Sequence, residues 1–186
     1  MTHPRPVIVI SRCIDFDSCR YNGAVIRASL REKLEPLVEL RPICPELEIG
    51  LGVPRDPVNL VRAGGGVRMV QPATGRDLTT RMRSFADHFL ESLEAVDGFI
   101  LKSRSPSCDV GDAKVFDSQA PDAGHRPGAG LFAAQVLERF PDVAVTDEAR
   151  LADEAVCRTF LDQVFAHAAK RLEKATQLSS GPHSHH

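Results

Sequence analysis

Three strand-like runs, Val7 to Ser11, Leu37 to Ile43 and Gly98 to Lys102, each give way within a few residues to a cysteine: Ser11-Arg-Cys13, Pro42-Ile-Cys44-Pro-Glu46 and Ser105-Pro-Ser-Cys108. A β-branched apolar run of this kind belongs to a parallel strand covered on both faces. Between the runs lie stretches with helical spacing, Asn22 to Leu34 and the positions Leu78, Met82, Phe85, Ala86, Phe89, Leu90 and Leu93. Strand and helix in alternation impose right-handed crossovers. The expected fold is therefore α/β, a twisted, mainly parallel, Rossmann-like sheet with helices on both faces, in a single domain. Ligands in such folds collect beyond the carboxyl ends of the strands, the edge at which Cys13, Cys44 and Cys108 all fall.

The rest of the chain fills in this plan. Pro45, Gly50, Gly52, Pro54 and Pro57 predict a rigid exposed loop after Cys44. Val67 to Gln71 reads as a short strand set off by the Gly64-Gly-Gly66 turn, and Val143 to Val145 as another. Residues 109 to 128, rich in Asp, Gly, Pro and Ala, predict a mobile surface excursion. Helices are expected over 130 to 140 and 148 to 174. The domain is expected to span 1–177, leaving 178–186, with three histidines and no apolar period, as a disordered tail or an added remnant.

With 23 Lys plus Arg against 25 Asp plus Glu, the chain lacks the positive excess that holds a polyanion, so nucleic acid is not the expected partner. Its apolar runs are too short for a membrane span and no signal-type core precedes them, which points to a cytoplasmic protein. Thiols stay reduced in that compartment unless they bind metal or act in catalysis, so five cysteines imply no structural disulfide. Cys157 lies within the apolar pattern of the last helix and reads as a core residue. Cys19, in an Asp-rich, Arg-flanked turn, is either a fourth ligand or a loop thiol, and the second reading is preferred. Three thiolates brought together by strand ends favour an iron-sulfur cluster or zinc, with one position left vacant for chemistry.

The ordered blocks Ser11-Arg-Cys13, Cys19-Arg-Tyr-Asn-Gly23, Pro42-Ile-Cys44-Pro-Glu46 with Gly50-Leu-Gly-Val-Pro-Arg55, Thr74-Gly-Arg-Asp-Leu-Thr79 and Leu101-Lys-Ser-Arg-Ser-Pro-Ser-Cys108 together resemble the thiouracil desulfidase family over roughly residues 6 to 165. The resemblance implies a 4Fe-4S cluster on Cys13, Cys44 and Cys108 with one open iron, and Glu46 and Ser105 as the assisting acid and hydroxyl. It implies a small thiolated pyrimidine as substrate, thiouracil or 4-thiouridine 5'-monophosphate, converted without net redox change to the uracil form and hydrosulfide. Two positions depart from the family's usual pattern: Asn22 replaces an aspartate and Asp109 a glycine.

Without that resemblance Glu46 reads as a solvated loop acid and Ser105 as a turn former, and Ser107 is an equally reachable hydroxyl. Ser11, Arg55, Lys102 and Ser107 are candidate substrate contacts. Arg55, Lys102 and Arg104, or the helix that starts at Gly128-Ala-Gly130, are candidates for a substrate phosphate. The glycines superficially match a dinucleotide fingerprint, but Ala120 to Pro127 shows no strand pattern, which weakens that reading. The competing functions are desulfuration of thiouridine within tRNA and a non-catalytic metal- or cluster-binding protein.

Overall fold

The computed structural model describes residues 5–180. Strands β1 (Val7–Ser11), β2 (Glu39–Ile43), β6 (Gly98–Leu101) and β9 (Ala144–Asp147), numbered in chain order, form a parallel sheet in the order β2-β1-β6-β9. Pro42 is tolerated because β2 is an edge strand, with one side free of ladder bonds. The β1 side chains alternate between two cores. Ile8 and Ile10 pack with Leu30 and Leu34 of helix α1 (Leu30–Leu34) and with Phe160 and Val164 of α5 (Glu154–Ser179). Val9, with Phe99 and Leu101, faces Met82, Ala86 and Leu90 of α3 (Thr79–Glu91) and Phe132 and Val136 of α4 (Leu131–Arg139). The sheet is thus covered on both faces, as the alternation of apolar runs requires.

Stacked phenylalanines join α3 to α4, Phe85 lying 5.7 Å from Phe89 and 6.1 Å from Phe132 between ring centroids. Full burial of a side chain of this size contributes about 1.5–3 kcal/mol. Gly98 sets the approach of α5, since a Cβ there would lie 2.7 Å from Val164 Cγ2. Among the described residues no helix is long and apolar enough to cross a membrane.

A second sheet departs from the expectation. Strands β3 (Asn59–Ala63), β4 (Gly66–Gln71), β5 (Arg76–Asp77), β7 (Ala113–Phe116) and β8 (His125–Gly128) assemble in the order β5-β4-β3-β7-β8. The excursion predicted over 109 to 128 therefore contains two paired strands, with β7 buried at Ala113 and Val115 against Leu60. Those two inward positions are the whole apolar signal, too short to stand out against Gly and Pro. The helix expected from Asn22 begins only at Leu30, because the Asp15 carboxylate accepts the N–H groups of Ala28, Ser29, Leu30 and Arg31 and fixes the helix start there. The loop after Cys44 opens with one helical turn, α2 (Pro45–Glu48), and buries Glu46 and Ile49. Helix 148–174 resolves into a 3-10 turn, Arg150–Ala152, and α5, started by Asp153 accepting from Ala155 and Val156 N–H. Helix α5 runs to Ser179, so residues 178 and 179 of the expected tail are helical, and 181–186 lie outside the described residues.

Candidate functional site

The sheet order β2-β1-β6 makes the three cysteine-bearing strands neighbours. Their carboxyl ends deliver Cys44, Cys13 and Cys108 to one cavity of about 260 Å³, also lined by Cys19, Glu46 and Ser105. Residues far apart in sequence converge because parallel strands end on the same edge. Cys19 joins them: it is 2 % exposed, its thiol contacts those of Cys13 and Cys44, and its carbonyl lies 3.8 Å from Cys44 Sγ. The sequence reading prefers a loop thiol there and leaves open whether Cys19 meets the site. The available signal was the apolar pair Ile14 and Ile26, which bridge and fold residues 15–25 back over the cavity. Cys157 lies on the buried face of α5, in the core, as expected.

The other candidates divide into groups held by partners and groups facing the cavity. Glu46 is buried, accepts from Ser107 Oγ at 2.8 Å through Oε1, and accepts from Arg55 Nε at 2.8 Å through Oε2. Arg55 spends its remaining donors on the carbonyls of Cys19 (2.9 Å) and Gly52 (2.8 Å), so it locks the Cys19 segment to Glu46 and has no free edge for a phosphate. Lys102 is similarly occupied, with Nζ 2.6 Å from Glu148 Oε1 and 2.6 Å from the Ser103 carbonyl. Burial alone would raise the Glu148 carboxyl, but Lys102 and the amide and hydroxyl of Ser103 bring it below its ordinary value. Ser11, buried, accepts the Lys102 N–H at 2.8 Å and hydrogen-bonds the Cys108 thiol.

The two serines that sequence could not separate are separated by geometry. Ser107 is 1 % exposed and serves Glu46. Ser105 lines the cavity, and its hydroxyl accepts the N–H groups of Ser107 (3.2 Å) and Cys108 (3.1 Å) while its proton is directed at the Cys108 thiol. The Cys108 loop is then seated on α4. The Leu131 N–H donates to Pro106 O, and those of Phe132 and Ala133 to Ser107 O, all within 3.1 Å. These bonds use the helix terminus that had been a phosphate candidate. Gly130 permits them, because a Cβ there would sit 2.4 Å from the Ser107 carbonyl carbon. The segment before that glycine is the antiparallel strand β8 rather than a non-strand, yet with its helix N–H groups filled it offers a dinucleotide nothing.

The thiols shape each other's ionisation. Burial pushes Cys108 up to about 12, with Cys44 and Glu46 adding to the effect and hydrogen bonds from Ser11 and Ser105 opposing it. The Cys13 thiol raises Cys19 to about 11, and Cys19 in turn raises Cys44. Sulfur donors whose negative forms suppress one another suit a site completed by soft cations, which would displace their protons. Among the described residues no three Cys, His, Asp or Glu side chains converge on a point that one metal ion could share. A cluster poses a different demand, since each thiolate meets its own iron and the donors must surround a volume. Thiols from three strand ends around a cavity fit that demand.

The α/β sheet and its ring of sulfur donors define a cysteine-site protein of a recognised class. A family profile described as 2-thiouracil desulfurase matches residues 8–148, and the chain belongs to that family. An uncharacterised protein of Bacillus subtilis (strain 168), YbbK, is 31% identical over 115 residues, covering 56% of this chain and 74% of its own. A solved structure, that of the 4Fe-4S-dependent thiouracil desulfidase TudS, superposes with a TM-score of 0.64 at 24% identity, over 83% of this chain and 99% of that one.

Proposed function

We propose that this protein is a non-redox, 4Fe-4S-dependent desulfidase that removes sulfur from a small thiolated uracil compound, thiouracil or 4-thiouridine 5'-monophosphate. The observation that carries the reading is the convergence of Cys13, Cys44 and Cys108 on one cavity beside the clamped carboxylate of Glu46. Family membership and the printed name of TudS support the same chemistry. Cys13, Cys44 and Cys108 would hold the cluster, which supplies an open, Lewis-acidic iron that polarises a thiocarbonyl.

The chain's own residues do the rest. In the net reaction water exchanges its oxygen for the ring sulfur: the C=S bond is replaced by C=O, hydrosulfide and a proton leave, and no electrons are transferred. Glu46, fixed by Ser107 and Arg55, receives the proton of the attacking water at a carboxylate oxygen and returns it to the departing sulfur or the ring nitrogen. Ser105 presents to the water or to the pyrimidine edge a hydroxyl whose one proton is shared with the Cys108 sulfur. Pro57, Val58 and Ile43 on the cavity wall exclude bulk water from the ring.

Anaerobic reconstitution with iron and sulfide, followed by a visible spectrum and by chromatography of uracil products, tests the proposal. The intact protein takes up a cluster and releases hydrosulfide. Cys13→Ala, Cys44→Ala and Cys108→Ala lose both chromophore and turnover, while Cys19→Ala keeps the chromophore. Turnover without a cluster, or a full cluster in Cys108→Ala, would overturn it.

A further inference from the structure

Five cations line the cysteine cavity, and three of them are neutralised: Arg12 by Asp17, Arg55 by Glu46 and Lys102 by Glu148. Arg20 and Arg104 have no carboxylate at ion-pair distance among the described residues. Arg104 differs from Arg20 in a second respect. It also lines an adjoining cavity on the second sheet, which shares Val58, Arg104 and Pro106 with the first and contains Asn59 and Lys114. Lys114 is exposed and likewise has no acidic partner, whereas the single acid on that wall, Asp112, is paired with Arg150 at 3.0 Å.

The backbone beneath Arg104 is specially held. Its φ of 59° lies in the left-handed region, which a side chain larger than glycine rarely adopts. The conformation is fixed by Asp109, 2 % exposed, whose carboxylate accepts the N–H groups of Arg104, Gly111 and Asp112. A strained residue at the junction of two cavities, locked by a buried acid, is a common mark of a ligand clamp. An unpaired guanidinium with an ammonium beyond it matches a phosphomonoester, which takes a forked donor and a point charge.

We infer that Arg104 and Lys114 form a phosphate subsite in the second cavity, so that a thiolated pyrimidine nucleotide lies across Arg104 with its base in the cysteine cavity and its 5'-phosphate on the second sheet. The inference rests on the desulfidase reading for the identity of the base, and it locates specificity in residues that reading does not use. Asp109 acts through Arg104 as a positioning residue.

The test separates the two. Binding of uridine 5'-monophosphate and of uridine to the reconstituted protein is measured by calorimetry, which needs no turnover. The wild type binds the monophosphate roughly tenfold or more tightly than the nucleoside, as a charge-assisted contact predicts. Arg104→Ala abolishes that preference, Arg104→Lys restores part of it, Lys114→Ala halves it or more, and Arg12→Ala leaves it intact. With thiolated substrates, Arg104→Ala raises KM for the monophosphate by a larger factor than it raises KM for the free base. Equal binding of monophosphate and nucleoside by the wild type overturns the subsite, as does a preference that survives in Arg104→Ala. Tighter binding of a tRNA fragment than of the monophosphate, lost in the same variants, overturns it in favour of a polynucleotide groove. A cluster-loaded protein that keeps the preference yet desulfurates nothing sustains the subsite and defeats the desulfidase reading.

Discussion

The loop that carries Cys108 and the excursion that carries Cys19 both end as buried thiols in the same cavity, yet they are anchored in opposite ways. The Cys108 loop is gripped along its length: by Glu148 at Ser103, by Asp109 at Arg104, by Ser105 within the turn and by three N–H groups of α4. The Cys19 excursion is pinned near its two ends by Asp15 and the Ile14–Ile26 bridge, and in its middle by Arg55, which donates to the carbonyls of Cys19 and Tyr21, and by the Cys44 thiol beside Cys19. A proposed cluster ligand therefore sits on a loop held along its length, while the extra thiol sits on an excursion held at its ends and, between them, at Cys19 and Tyr21. Few buried attachments mean a lower cost of local opening.

The largest expected effect comes from breaking the rigid side. Gly130→Ala drives a methyl into the Ser107–Cys108 peptide, backbone against backbone, and should cost about 3 kcal/mol or more. The urea midpoint would fall and the reconstituted chromophore would be lost or bleach quickly; a wild-type spectrum and midpoint would mean that α4 does not seat the loop.

Loosening the excursion should do less. Asp15→Ala removes the acceptor for the N–H groups of Ala28, Ser29, Leu30 and Arg31, a change worth about 1–2 kcal/mol by analogy with helix caps. Amide exchange should quicken at residues 28–31 and spread toward Cys19, with the amides of residues 105–109 unaffected. Exchange rising equally in both segments would erase the contrast between them.

The smallest effect is set by pH. Because the fold lowers the Glu148 carboxyl, its contribution is present above the ordinary glutamate value of about 4.3 and is lost as pH falls through the lower folded value. Glu148→Gln should therefore be less stable than wild type by about 1 kcal/mol at neutral pH, with the gap closing in acid. Denaturation curves for the pair across that range check the sign; a gap that widens in acid would remove Glu148 from the anchoring of the loop.

Much of this architecture was written in local pattern. Val7 to Ser11 and Gly98 to Leu101 are continuous apolar runs because both faces of the parallel sheet are covered, and the spacing of Met82, Phe85, Ala86, Phe89 and Leu90 carries α3. The convergence of Cys13, Cys44 and Cys108 followed from that topology alone. The second sheet was illegible for the opposite reason: its strands are short, half exposed and interrupted by turns, so β7 shows only Ala113 and Val115 inward. The helix start at Leu30 depended on Asp15, distant enough that no capping pattern could mark it. Arg55 and Lys102 looked available because their partners, Glu46 and Glu148, are brought close by tertiary folding.

The strand order has a consequence for biogenesis. β1 lies between β2 and β6, and β6 is synthesised last of the three, after the whole β3–α3 segment has emerged. Cys108 takes its place only when that strand inserts on the free side of β1. Under the proposed function a cluster would find its three thiols together only once β6 has joined β1, and a translation product that stalls before residue 108 would lack one of them.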